Sequence, residues 1–420
     1  MSQIALFDCT RFYASAAAIY QPELRDKPIA VTTSNKGIVI ALNRAASKLG
    51  CKKFTPVFQN AHLEKHGLIF VQANFSHFGH CSTSFHSTLT DLIGPTHFYS
   101  IDEAFAEISS VNDPNAFLKS VRRDLYRLTR IPTGAAYADT CTLAKVASWA
   151  AKNINGFNGV CALTNIKNTN EILKRCPIDK VWGLGSAYQK KCLTHRVESA
   201  FAFKSLSTGS VRKIFNNKNV LITHAELNGD QILKPGAVPV IQSNLQINST
   251  RTIEGCINTP NELRQAIMYH LSEVCKKARS QKQKVKMLTI MWNTNRFQED
   301  VKTGKCIIPI EYPTNDILVI ANISSAFINN IIPVPFVPVH RIAVSAIELT
   351  NGEHDQIDIF APPENTKLMG ALDEINAKYG KNKLRLANLG LDGQQSGERV
   401  NTTDIRNPLT CWNDIPIVHS

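Results

Sequence analysis

Tyr99-Ser-Ile-Asp-Glu-Ala-Phe105 places two acidic residues, Asp102 and Glu103, between the apolar segments His97-Phe-Tyr-Ser-Ile101 and Ala104-Phe-Ala-Glu-Ile108. Both flanks read as strands. In an unbroken strand, neighbouring side chains point to opposite faces, so the two carboxylates would diverge. A hairpin turn or bulge at this point re-aims one of them. A third carboxylate, Asp8, ends the short apolar run Ile4-Ala-Leu-Phe7, which reads as a buried strand. Mg²⁺ takes an octahedron of oxygens and is usually held by one or two carboxylates plus substrate phosphates. Three converging carboxylates can therefore hold two Mg²⁺ ions, which would stabilise the attacking and leaving oxygens of a phosphoryl transfer. Taken singly, an acidic residue at a strand end is a solvated surface charge. The case rests on the three together.

The chain has 420 residues, too many for one ordinary core, and two to four domains are expected. Its 43% apolar content is that of globular protein. The net charge of +13 points to a polyanionic partner. Lys276-Lys-Ala-Arg-Ser-Gln-Lys-Gln-Lys-Val-Lys286 contains no acid, which suits phosphate contact through Lys276, Lys277, Arg279, Lys282, Lys284 and Lys286. The eleven cysteines are scattered without zinc spacing and read as reduced thiols of a cytoplasmic protein. No basic-then-apolar leader precedes the first strand. Asp316 to Asn330 is the most apolar stretch, but its Asp, Asn and Ser residues make it a buried amphipathic helix and not a membrane span. His77, His80 and His86 lack companions at ligand spacing and read as helix surface or core.

Leu6-Phe-Asp-Cys-Thr-Arg-Phe-Tyr-Ala-Ser15, Pro22-Glu-Leu-Arg-Asp-Lys-Pro28 and Tyr99 to Phe105 resemble the Y-family DNA polymerases, in particular the UmuC branch. The resemblance continues through Thr142-Leu-Ala-Lys145, Val181-Trp-Gly-Leu-Gly185 and Leu368 to Lys378, and so covers nearly the whole chain in order. It implies an α+β multidomain fold shaped as a right hand. Residues 1–11 and 72–165 would form the palm, 12–71 small fingers, and 166–233 a helical, helix-hairpin-helix-like thumb. Lys234-Pro-Gly-Ala-Val-Pro239 opens a linker over 234–243. The pattern from 244 to 349 is βαββαβ, matching the family's little finger. Its first helix opens with a capping box, Thr259-Pro-Asn-Glu262. Residues 350–420 read as a mostly irregular tail.

The resemblance carries roles to individual residues. Asp8, Asp102 and Glu103 become the catalytic and metal-binding carboxylates, with the backbone carbonyl of Cys9 as a further ligand. Tyr13 becomes the steric gate that excludes a 2′ hydroxyl, while Phe12 fills the core. Arg44, Ser47 and Lys48 share one helix face, and Arg44 or Lys48 would supply the charge that relatives place where Ser47 stands. Lys152 matches the lysine that reaches the γ-phosphate. Cys141 stands where relatives often carry lysine, a second lost charge, and Arg196 replaces a later glycine of the thumb motif. Gly183 and Gly185 let backbone N–H groups approach DNA phosphates. Gln356-Ile-Asp-Ile-Phe360 resembles a sliding-clamp peptide, with Gln356, Ile359 and Phe360 as its anchors.

The expected activity is error-prone translesion DNA synthesis with two Mg²⁺ ions in the DNA-damage (SOS) response. The expected partners are primer-template DNA, deoxynucleotide triphosphates and the sliding clamp. The processed UmuD dimer and the RecA filament are implied by resemblance alone, as is a cytoplasmic, nucleoid-associated location. The alternative is a DNA- and clamp-binding accessory protein that polymerises weakly, motivated by Ser47, Cys141 and Arg196.

Overall fold

The structure, a computed structural model, describes residues 3–19, 21–34, 37–108, 111–237, 246–296, 298–352, 361, 364–379 and 383–387. The described residues form two compact units, one ending at 237 and one beginning at 246.

In the first unit, β1 (Gln3–Cys9) leads through Arg11, in the left-handed region at φ 51°, into α1 (Phe12–Ala17). β2 (Ile29–Thr32), β3 (Val39–Leu42), α2 (Arg44–Lys48), α3 (Val57–Asn60) and β4 (Ile69–Gln72) follow. Their strands make a small sheet in the order β3-β2-β4. The chain then runs through α4 (Phe75–Ile93), β5 (His97–Phe98), β6 (Glu103–Ile108), α5 (Pro114–Thr129), β7 (Thr133–Ala138), α6 (Cys141–Asn153) and β8 (Val160–Ala162). These complete a five-stranded sheet, β5-β6-β1-β7-β8, with β1 central and antiparallel to both neighbours.

Alternation along β1 divides its side chains between two cores. Ile4 and Leu6 pack with α6, while Ala5, Phe7 and Cys9 pack with α1, α4 and α5. Asp8 therefore belongs to the α6 face. On β6 the same rule puts Phe105 with α6 and Ala104 with α4 and α5. Glu103, two residues before Phe105, thus shares a face with Asp8. Five helices, α7 (Ile166–Arg175), α8 (Ser186–Thr194), α9 (Ala200–Lys204), α10 (Thr208–Phe215) and α11 (Lys218–Leu227), extend the α6 core.

The second unit is β9 (Ile247–Ile257), α12 (Pro260–Ser280), β10 (Gln283–Asn293), β11 (Thr303–Thr314), α13 (Ile317–Ile331) and β12 (Val339–Asn351). The sheet order is β11-β10-β12-β9 with every pair antiparallel, so β12 is inserted between the parallel-running β9 and β10. This is the βαββαβ order expected. The capping box forms: Glu262 N–H donates to Thr259 Oγ1 at 3.2 Å. The return bond lands one residue early, on the N–H of Asn258 at 3.0 Å. α13 is capped by Asp316 and buries Ile317, Ile320, Ile328 and Ser324. Among the described residues no helix is long and apolar enough to cross a membrane.

The stretch beyond 350 differs from the irregular tail expected, because it contains α14 (Thr366–Tyr379). Met369 inserts into the second unit's core, and Asp373 binds Arg279. The Gly, Asn and Pro residues around α14 masked its apolar spacing. Gln356, Ile359 and Phe360 lie outside the described residues.

Candidate active site

Asp8 and Glu103 sit directly opposite each other in the β1–β6 ladder. Tyr99 to Asp102 form the turn between β5 and β6, with the N–H groups of Tyr99 and Ser100 both directed at the Glu103 carbonyl, 3.0 and 3.2 Å away. A turn therefore interrupts the strand at the acidic pair. The Asp102 carbonyl accepts the Cys9 N–H at 2.8 Å, which fixes the turn against the end of β1. The carboxylate of Asp102 accepts a hydrogen bond from Ser100 Oγ at 2.6 Å.

The three carboxylates act on one another. Burial pushes the Glu103 carboxyl above its usual range; Lys145 pulls it down, while Asp8 and Asp102 push it up. The Cys9 thiol is raised by burial and then by the charges of Asp102 and Asp8. Three negative charges at one strand end repel, and α6 supplies the compensation. Lys145 Nζ donates to both oxygens of Glu103 at 2.7 Å and lies 4.6 Å above the Tyr99 ring. Lys152 Nζ is 2.5 Å from Asp8 Oδ2, and Ser148 Oγ donates to the same oxygen at 3.1 Å. Across the sheet from Asp8 stands Gly134. A Cβ there would stand 3.2 Å from Lys152 Cε, so glycine leaves the lysine its path.

Among the described residues, no three acidic, histidine or cysteine side chains are gathered in a way that could hold a metal ion. Asp8 and Glu103 are instead engaged by lysines. The donor set still fits a hard divalent cation in its chemistry: it is all oxygen, and three carboxylates exceed the two lysines that face them. Asp8, Asp102 and Glu103 would hold the ion, with the Cys9 carbonyl at the same strand end.

Phe12 is buried in the core, as expected. Tyr13 is half-buried, its ring 4.8 Å from that of Phe78 and 6.2 Å from that of Phe75. Burial, and then the Asp102 charge, raise its phenol. Arg44 and Lys48 are exposed on α2, as is Ser47.

Cys141 lies inside the core. It is fully buried, its thiol directed at the Leu233 carbonyl, and burial with the nearby Glu226 and Glu107 charges pushes it up to about 12. A position so enclosed offers no charge to a solvent phosphate. Gly183 also meets a packing demand. Its φ is +86°, and a Cβ would come within 2.3 Å of Thr223 Oγ1, so packing of α11 requires the glycine. Gly185 is the N-cap of α8, with open space around it.

The basic run splits. Arg279 is half-buried in a two-pronged pair with Asp373, at 2.7 and 2.9 Å, and also donates to the Asn315 carbonyl. Lys284 pairs with Glu364 at 3.0 Å. These two are committed to the segment after β12, because the run leaves α12 and enters β10, where side-chain directions change. Lys277, Lys282 and Lys286 are exposed, and Lys276 is half-exposed.

The sequence reading missed Lys145, Ser148, Ser100 and Arg11. The first two, with Lys152, lie at i, i+3 and i+7 on an otherwise apolar helix, a stripe that was visible. Arg11 was hidden because its partner is distant: its Nη1 donates to the Leu42 carbonyl at 2.8 Å. Burial, and then the Arg44 charge, lower the Arg11 guanidinium.

A right-hand sheet bearing acidic strand ends, a helical extension and a βαββαβ unit define a Y-family polymerase fold. A solved Y-family DNA polymerase chimera of Dbh and Dpo4 superposes with TM-score 0.63 at 18% identity, covering 82% of this chain and 98% of that one. The model of the impB/mucB/samB family matches residues 7–149, and that of the family's C-terminal domain matches 245–359. The chain belongs to this family. A domain of unknown function (DUF4113) matches 366–418. Protein UmuC of Salmonella typhimurium is 28% identical over 94% of this chain and 95% of its own. Protein ImpB of the same species is 29% identical over 98% and 99%. DNA polymerase IV of Francisella tularensis subsp. novicida is 25% identical over 61% of this chain and 74% of its own.

Proposed function

We propose that this DNA-directed DNA polymerase of the Y family performs translesion synthesis: attack of a primer 3′ hydroxyl on the α-phosphate of a template-selected deoxynucleotide, with release of pyrophosphate. The observation that carries the reading is the pairing of Asp8 with Glu103 at a strand end where the Asp102 turn folds back onto Cys9. When bound there, two Mg²⁺ ions would supply the electrostatic stabilisation of attacking and leaving oxygens. The chain's own groups position the reactants. Tyr13 closes the space beneath the sugar against a 2′ hydroxyl. Arg11 and Arg44 present guanidinium charge to the triphosphate, which offsets the uncharged Ser47. Lys152 can exchange Asp8 for a phosphate oxygen.

Gly185 and the exposed Lys276, Lys277, Lys282 and Lys286 suit duplex backbone contact. Gln356, Ile359 and Phe360 are proposed as the clamp peptide. The UmuD dimer, the RecA filament, a cytoplasmic nucleoid location and a role in the DNA-damage response accompany the reading by family likeness.

The test is primer extension by the full chain with Mg²⁺, clamp and an undamaged or lesion-bearing template. Extension that Asp102→Asn abolishes, with melting temperature and DNA affinity kept, is the expected result. DNA binding without extension under all these conditions would overturn it and leave the accessory-protein reading, which the uncharged Ser47 favours.

A further inference from the structure

Phe54 and Phe58 are 74% and 72% exposed, on one short stretch between β3 and β4. Single exposed apolar residues are ordinary. Phe54 is presented by a braced loop, and Phe58 lies just after it on α3. Phe54 has φ +62°, a conformation that bulky side chains rarely adopt and glycine adopts freely. The backbone is locked there: Phe54 N–H donates to the Val39 carbonyl at 2.7 Å, and Val39 N–H to the Thr55 carbonyl at 2.9 Å. Asn60, 5% exposed, braces the loop from within. Its amide donates to Thr55 Oγ1 at 2.8 Å and to the Pro56 carbonyl at 3.1 Å. Thr55 Oγ1 in turn donates to the Lys52 carbonyl at 2.7 Å. A strained, exposed ring on a rigid mount is free energy spent on presentation.

The electrostatic setting selects the occupant. From residue 27 to 63 the sequence has no Asp or Glu, and it carries Lys27, Lys36, Arg44, Lys48, Lys52 and Lys53. Lys52 and Lys53 are exposed and adjacent to Phe54. Bare aromatic rings beside exposed lysines match unpaired nucleic acid, where phosphates meet the lysines and base faces meet the rings. A duplex stacks its bases internally and offers no such face. We propose that Phe54 and Phe58 form a stacking platform for unpaired bases of single-stranded DNA, the uncopied template strand if the polymerase reading holds.

The full-length protein is titrated by fluorescence anisotropy with a blunt hairpin duplex, and with the same duplex carrying a 5′ overhang of about eight nucleotides. The overhang tightens wild-type binding. Phe54→Gly, which also relieves the backbone, and Phe58→Ala each remove roughly fivefold or more of that gain, the lower end of base–aromatic stacking. Blunt-duplex affinity stays unchanged, and the melting temperature does not fall. Variants that weaken both DNAs equally, or neither, overturn the platform. The second outcome is also what a surface for an apolar protein segment would give. Primer extension is measured on the same preparations: extension without an overhang effect overturns only the platform, and an overhang effect without extension overturns only the polymerase reading.

Discussion

Lys145 is the side chain on which the charge balance of the strand end depends. Its ammonium bonds both oxygens of Glu103, and both side chains are mostly shielded, 14% and 17% exposed. Burial nonetheless outweighs the lysine, and the Glu103 carboxyl stays above its ordinary 4.5. A carboxyl raised by folding binds its proton more tightly in the native state. Its favourable contribution is complete below the unfolded value and is lost as pH rises through the folded value. Lys145 limits that loss. Lys145→Ala should therefore destabilise by roughly 2 kcal/mol at pH 8, the scale of a buried charge left without its partner. At pH 4 the cost should shrink. Urea denaturation at the two pH values tests this, and an equal loss at both would mean that Lys145 acts through packing. Arg196 is a second informative residue. It takes φ +60°, the left-handed region that favours glycine, at the position where the resemblance implies one.

At the scale of elements, α4 is what aims Asp102. Ser82 Oγ donates to the Ile101 carbonyl at 2.6 Å, and His86 Nε2 bonds the Ser100 carbonyl at 3.0 Å. Two residues one turn apart on a helix thereby hold two successive carbonyls of the acidic turn. Ser82→Ala should lower the rate of primer extension severalfold through a misplaced Asp102. The stability cost should be only about 1 kcal/mol, one net hydrogen bond. The ratio of kcat change to melting-temperature change separates positioning from simple destabilisation.

The strands and the acidic turn were legible because their signals are local: an apolar run ending in Asp8, and an acidic pair that cannot converge in an unbroken strand. The α4 clamp and the Arg11 contact were not, because each joins residues distant in sequence and leaves no period to read; the polar stripe of Lys145, Ser148 and Lys152 has a period, but the carboxylates it faces are distant in sequence. The basic run misled at Arg279 for the same reason, its carboxylate partner being Asp373 on α14.

At the scale of the molecule, the two units have separate hydrophobic cores, and within the first unit the helical extension is tied to α6 by one buried carboxylate. Glu226 on α11 is fully buried. Its Oε2 accepts the N–H of Thr142 at 2.9 Å and the Thr142 hydroxyl at 2.6 Å, and its Oε1 accepts the Leu233 N–H at 2.8 Å. The carboxylate thus satisfies donors at the first turn of α6, where the helix dipole also favours negative charge. It simultaneously fixes the chain leaving α11. Glu226→Ala strands these donors, and two or three unsatisfied buried groups set the loss at roughly 3 kcal/mol. Because α6 also carries Lys145, Ser148 and Lys152, the same change should reduce primer extension even below the temperature at which the unit melts. Calorimetry of the full chain should show two transitions, of which Glu226→Ala lowers one and spares the other, since no group of the second unit's core depends on it. A single transition moving as a whole would mean that the two cores unfold together.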